Sequence, residues 1–545
     1  MLDDASAGRL GLDAGGAAAR LRALLQTRLW LACALLGALA LLLRLPTLSS
    51  RSLWLDETYS AWFASLPLRE LWTRAPLYET HPPLYYTLLK GWSVLAGRGE
   101  AGLRSLSVLA SVLTVLALPA LARVARLGAR AERIALLAGL LLAVNAASIA
   151  FAQQARPYAL QALAGALAVF CAAMLVRVLA APASARASAH ASARAWPWAL
   201  GLAMAAGLTL WLHNTGVFAA LGIWTGMTLG LCLATPGPRR PQALAVSAAG
   251  LGALLVWSPF MPMLFKQSAA MSHLAYWIRF APRDVKSAWT VVAGAPLLHY
   301  PVALLVLTGF MWLWRRSRAH FWLMLCTMAL PVLALAGYSW LVKPVFLSRL
   351  FLWLGPAGMV LTALGVAALP ARLRAPAVAA LLALSAIAVQ GFYRSRTEGW
   401  RDLLQGFARD SRPGDLVLAL PNEVQMPVAY YLPHGPAVIY LPGAFPAMGL
   451  ARRYVSNPGA PAIAPEDTAR LRALLPGHAR VWLIERHAEL YDPDGLVMRE
   501  LGRRYRLTRR IEGDGANIWL FEVTATSSSD ADRSACRSCA HPGCA

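Results

Sequence analysis

Between residues 28 and 393 the chain is a succession of long apolar runs, separated by short polar segments that carry clusters of arginine. A helix that crosses a bilayer needs roughly 17–25 predominantly apolar residues. Eleven runs meet that requirement: 28–45, 102–122, 134–152, 157–180, 195–212, 215–234, 242–264, 298–314, 320–341, 349–369 and 375–393. Inside lipid a backbone must satisfy its own N–H and C=O groups, so runs of this length fold as helices. With 58% of its 545 residues hydrophobic, the chain carries more apolar surface than a soluble domain could hide. The expected fold class is a polytopic α-helical membrane protein of about eleven transmembrane helices.

The formal charge of +24 is compatible with a nucleic-acid partner only if the cations form one continuous footprint. They do not. Nearly all are arginines in loops between apolar runs, at 123–133, Arg186 and Arg194, Arg239-Arg240, Arg315 to Arg318, and Arg372 with Arg374. That pattern marks cytoplasmic loops and excludes nucleic-acid binding. The N-terminal tail 1–27 carries Arg20 and Arg22 and belongs on the same side, so an even number of spans separates it from residue 123. Two runs already supply that number. Segment 81–97, which opens His81-Pro82-Pro83 and carries Lys90, therefore reads as a helix lying in the interface, and 46–101 as one external loop. No cleavable signal pattern stands out, and 28–45 reads as an uncleaved first span. The expected location is a bacterial inner membrane, with the N-terminus cytoplasmic.

Acidic residues mark the second boundary. Ten of the 27 precede residue 394, and between Arg133 and Tyr393 only Asp284 occurs. The rest follow, where the pattern turns globular. Buried strands are expected at 415–420, 481–484 and 518–523, with helices near 399–409, 465–474 and 494–503. Together they predict a small external α/β domain over 394–525. Glu423 and Asp415 read as ordinary strand-end residues there, and no Gly-rich phosphate loop or metal-spaced His cluster occurs. Cys536, Cys539, His541 and Cys544 are too tightly spaced for a familiar zinc knuckle, so 526–545 reads as a disordered tail.

Within the external loop, Trp54-Leu55-Asp56-Glu57-Thr58-Tyr59 sets two adjacent carboxylates among aromatic residues. A carboxylate in such a partly dehydrated place can serve as a general base; the plain alternative is a solvated pair near a helix start. His81, with Glu79 beside it, is either a polar rim residue or a group that contacts phosphate or orients the acid. Arg156, within Gln153-Gln154-Ala155-Arg156-Pro157-Tyr158, sits at the mouth of two spans, where an arginine is costly unless it meets an anion or water. Lys266, Lys343 and Arg349 are further external cations able to bind phosphate or lipid headgroups. His213-Asn214 reads as a polar turn, and Asp284 as locally paired.

The Asp-Glu pair, the His-Pro-Pro helix entry and the Gln-Gln-Ala-Arg-Pro-Tyr segment together resemble the GT-C glycosyltransferases. Over residues 28–393 they are most similar to bacterial relatives of the protein O-mannosyltransferases and the lipid A aminoarabinose transferase. The resemblance implies transfer of a sugar from a polyprenyl-phosphate donor to an envelope acceptor (protein, lipid or glycan) on the non-cytoplasmic side, with inversion. It implies that Asp56 binds or deprotonates the acceptor, that Glu57 is the second catalytic acid, and that His81, Arg156, Tyr158, Lys266, Lys343 and Arg349 serve donor and phosphate binding. Arg156 stands where some members carry a further acid, a departure from the aminoarabinose branch. A divalent metal is left open by the resemblance. Two other readings compete: a flippase for a lipid-linked sugar, which would carry charges near the bilayer midplane and inverted repeats, and a non-catalytic scaffold.

Overall fold

A computed structural model describes residues 30–181, 189–234, 239–271, 278–396, 398–457 and 459–523. The tail arginines Arg20 and Arg22 and the Cys536–Cys544 group lie outside these residues. The described chain forms two compact units: one from the N-terminal region to residue 396, and one made of Leu53–Leu55 with the chain from Glu398 onward.

The first unit is helical. Nine helices are long and apolar enough to cross a membrane among the described residues: Glu100–Val124, Tyr158–Leu179, Ala195–Leu212, Gly216–Ala234, Arg240–Ala269, Pro296–Arg316, Arg318–Leu341, Ser348–Ala368 and Ala371–Arg394. A bent pair, Ala129–Ala143 with Ala146–Ala152, counts as a tenth, and the shorter Trp30–Leu42 falls in the first expected run. Each of the eleven apolar runs thus corresponds to helix. The protein is a polytopic helical membrane protein.

Two departures from simple spans shape the site. The run 134–152 is not straight: its helices meet at 64°. Asn145 makes the break by accepting from Ser148 N–H (2.8 Å) and donating to the Val292 carbonyl (3.1 Å). Carbonyls freed there need donors, and the fully buried Arg44 supplies them. It donates to the carbonyls of Ala143 and Ala40 (3.0 Å each) and to the hydroxyls of Ser111 (2.8 Å) and Ser148 (3.0 Å). A broken helix at membrane depth is tolerable when protein groups satisfy its backbone in this way.

The segment 46–101 is also more ordered than a connection. It holds helices Leu55–Ser65, Leu68–Thr73 and Leu84–Ala96. The last has 13 residues, about 20 Å at the helical rise and shorter than the ~30 Å of a bilayer core. Lys90 on it donates to the carbonyls of Ala64 (3.2 Å), Ser65 (3.3 Å) and Leu66 (3.0 Å). A cation at those orphan carbonyls closes the C-terminal end of helix Leu55–Ser65.

The second unit carries a five-stranded sheet in the order Val438–Tyr440, Leu416–Leu420, Arg480–Glu485, Ala516–Val523, Tyr505–Gly513. The first three strands run parallel and the last two join antiparallel. Helix Trp400–Asp410 lays Trp400, Leu404 and Phe407 on the sheet residues Val417, Trp482 and Ile518.

Candidate active site

The site is built where helix Leu55–Ser65 begins. Asp56 and Glu57 occupy its first turn, where the partial positive charge of a helix N-terminus favours carboxylates. Neighbouring positions on a helix diverge by about 100°, and the two acids meet different surroundings.

Glu57 points inward and is fully buried. Arg104 grips it with two bonds, Nε to Oε1 (2.8 Å) and Nη2 to Oε2 (2.6 Å), while the backbone N–H of Ala155 donates to Oε1 (2.8 Å). Arg104 also donates to the carbonyls of Leu48, Arg51 (2.8 Å each) and Ser52 (2.9 Å). This ion pair staples the loop to helix Glu100–Val124 and to the segment that bears Arg156. Gln153 adds a second tie, donating to the carbonyls of Arg44 (3.1 Å) and Pro46 (2.5 Å) and accepting from Thr47 (2.8 Å).

Asp56 instead faces an opening, with a quarter of its side chain exposed. Arg349 Nη1 donates to its Oδ2 at 3.1 Å, and Arg156 Nη2 lies 3.7 Å from the same oxygen. Two guanidiniums thus converge on a single carboxylate oxygen. Arg156 Nη1 also donates to the Asp56 carbonyl (3.0 Å), and both guanidiniums lie about 6 Å from the Tyr158 ring, at 5.9 and 6.0 Å. Although Arg156 is only 4% exposed, its Nε–H meets no acceptor among the described residues.

His81 fixes the far side of Arg156. Arg156 Nη2 can only donate, so His81 Nε2, 3.2 Å away, accepts, and the ring proton sits on Nδ1 and is donated to Glu79 Oε1 at 2.5 Å. Burial and the Arg156 charge push His81 below its ordinary 6.5, which keeps the ring neutral. Glu79 is buried as well, but its bonds from His81 outweigh that burial and hold its carboxyl below the ordinary 4.5. The loop carrying both is latched from outside: Gln267 donates to the Glu79 carbonyl, and Asn214 donates to the Thr80 carbonyl (2.8 Å) and to Gln267 Oε1 (3.0 Å). His213 packs edge-on against His81 at 4.9 Å; burial, with His81, Arg156 and Arg349 near by, holds it well below 6.5.

The structure therefore brings Asp56, His81, Arg156, Tyr158 and Arg349 into one cluster. Glu57, expected as a second catalytic acid, sits behind it and is saturated by Arg104. Lys266 is exposed on helix Met261–Met271, beside the latching Gln267. Lys343 is half-buried in the stretch that leads to Arg349. Sequence reasoning missed Arg104 and the latch formed by Asn214 and Gln267. An arginine inside an apolar run was the available signal for the first, since such a charge needs a partner. As for a metal, no three His, Cys, Asp or Glu side chains gather to hold one among the described residues.

No family model and no curated protein matches the chain. Solved structures do. ArnT from Cupriavidus metallidurans in the apo state superposes with a TM-score of 0.60 at 14% identity, covering 89% of this chain and 97% of that one. ArnT bound to undecaprenyl phosphate gives 0.56 at 13% identity with the same coverage. The oligosaccharyltransferase AglB from Archaeoglobus fulgidus, in complex with an inhibitory peptide and a dolichol-phosphate, gives 0.52 at 12% identity over 93% of this chain and 75% of that one. At such identities the likeness is one of fold. On that ground the chain is a polytopic helical membrane protein that shares its fold with ArnT and AglB.

Proposed function

We propose that this protein transfers a sugar from a polyprenyl-phosphate donor to an acceptor at the membrane surface, with Asp56 as the acceptor's base. The observation that carries the reading is the convergence of Arg156 and Arg349 on Asp56 Oδ2 at 3.7 and 3.1 Å, in a partly open cluster. The solved neighbours bound to undecaprenyl phosphate and to dolichol-phosphate support the donor class.

Arginine presents donors in a planar fork suited to phosphate oxygens. A donor phosphate competes with Asp56 for the two guanidiniums and takes up the Arg156 Nε–H. Asp56, released from part of its pairing, accepts the proton from the acceptor's O–H or N–H as that atom bonds to the sugar's anomeric carbon. The carbon–oxygen bond to phosphate breaks, its electron pair stays on the phosphate oxygen, and Arg156 and Arg349 stabilise the charge that develops there. One displacement without a covalent sugar–enzyme intermediate inverts the anomeric centre. His81 and Glu79 act through Arg156 by holding its guanidinium; Glu57 acts through its pair with Arg104 by holding the helix start. The isoprenoid tail remains in lipid, which accounts for a site at the membrane rim. A flippase would need its charged groups near the midplane, whereas these groups lie at helix ends.

The test is sugar transfer from a synthetic polyprenyl-phosphate sugar by the purified full chain. Arg349→Ala is expected to lower kcat/KM by about 10²–10³-fold, as for removal of a donor to a developing oxyanion. Unchanged kcat/KM would remove Arg349 from the reading.

A further inference from the structure

Helix Ser348–Ala368 has Arg349 of the Asp56 cluster at one end, and at its other end Ala363 and Val366 line a second, separate cavity. Helical rise puts the two roughly 20 Å apart along the span. The cavity, of about 820 Å³, opens between helices Ala129–Ala143, Gly355–Ala368 and Ala371–Arg394. That volume is within the roughly 300–1,000 Å³ of small-molecule sites.

Its walls are apolar, with Ile134, Leu137 and Val378 among them, and its rim carries Arg130, Arg133 and Arg374, all exposed. No acidic residue lines it, and among the described residues none of the three arginines forms an ion pair. Two of them are oriented all the same: Arg374 Nε donates to the Leu369 carbonyl (3.0 Å), and the Arg130 guanidinium lies 5.9 Å from the Trp312 ring.

From this geometry we infer that the cleft is a binding site for an anionic glycerophospholipid of the surrounding membrane, on the face opposite the Asp56 cluster. Three guanidiniums supply paired donors for a phosphate, and the apolar walls below them take acyl chain. Basic pockets between membrane helices at this depth suit anionic headgroups. A free anion would leave the walls uncovered. A zwitterionic headgroup would bring its own cation against three others.

Native mass spectrometry of the full chain in detergent tests the assignment, with phosphatidylglycerol, phosphatidylcholine, a polyprenyl phosphate and inorganic phosphate as probes. Phosphatidylglycerol should stay bound where phosphatidylcholine dissociates, and it should raise the midpoint of thermal unfolding. In the triple variant Arg130→Ala, Arg133→Ala, Arg374→Ala, its occupancy should fall at least tenfold. Ala379→Trp, which fills the groove and keeps every charge, should lower occupancy too, and it carries the test if the triple variant fails to fold. Equal retention of phosphatidylcholine, preference for the polyprenyl phosphate, a thermal shift from inorganic phosphate as large as the lipid's, or unchanged binding in the variants would overturn the inference.

Discussion

At the scale of single residues, the adjacent acids Asp56 and Glu57 divide into a group left open and a group held shut. The Glu57–Arg104 pair is almost fully buried, with side chains 1% and 3% exposed. Breaking one side of such a pair strands the other charge, at a cost of about 3–5 kcal/mol. Glu57→Ala and Arg104→Ala should each destabilise by that order in thermal or denaturant unfolding. The double variant should lose clearly less than the sum, because the stranded charge is gone; strict additivity would contradict the pairing. His81 gives a pH signature. Its folded value lies below the ordinary 6.5, so between the two the unfolded chain binds more protons than the folded one. Stability is then complete above about 6.5 and declines as pH falls below it, whereas the hold on Arg156 is lost only lower, as pH falls through His81's own depressed folded value. The donor KM should rise as pH falls through that lower value. In His81→Asn, whose side-chain oxygen accepts from Arg156 without titrating, KM should stay flat. A rise of equal size in His81→Asn would rule out His81 as its source.

At the scale of elements, helix packing rests on close approaches that only glycine permits. Gly309 and Gly365 lie where helices His299–Arg316 and Gly355–Ala368 touch, and a methyl group at Gly365 would land on the Leu305 carbonyl oxygen. Small residues allow this kind of contact between membrane helices. Gly365→Ala should therefore cost about 1–3 kcal/mol, as overpacking does, read as a lower unfolding midpoint with the Asp56 cluster chemically intact. The spans were legible because length and hydropathy alone specify a helix in lipid. The break at Asn145 was not: the apolar run continues through Ala146–Ala152, and only the contacts to Arg44 and Val292 make the bend favourable. Two strands of the five-stranded sheet escaped notice for related reasons. Val438–Tyr440 has three residues, too few to show alternation. Tyr505–Gly513 is largely exposed and arginine-bearing, as charge-protected edge strands are.

At the scale of the whole molecule, the cluster draws on positions as far apart as Asp56 and Arg349, 293 residues in sequence. Sequence reading named both: Asp56 as one of two adjacent carboxylates among aromatic residues, and Arg349, like His81 and Arg156, as a polar group beside an apolar segment, while the resemblance added Tyr158. Patterning could not choose among Arg349, Lys343 and Lys266 as Asp56's partner, since all three share that description and only the packing of the helices separates them. The same packing gave Glu57 a partner that lies inside a span. The central claim is that Asp56 serves as the base of a sugar transfer. It is tested most directly by measuring transfer from a polyprenyl-phosphate sugar, and binding of that donor, in wild type and Asp56→Asn. The account predicts that transfer falls by about 10²–10⁴-fold, the usual contribution of a general base, while donor binding is kept or tightened as Arg156 and Arg349 lose a competing carboxylate. Transfer by Asp56→Asn at the wild-type rate would contradict it.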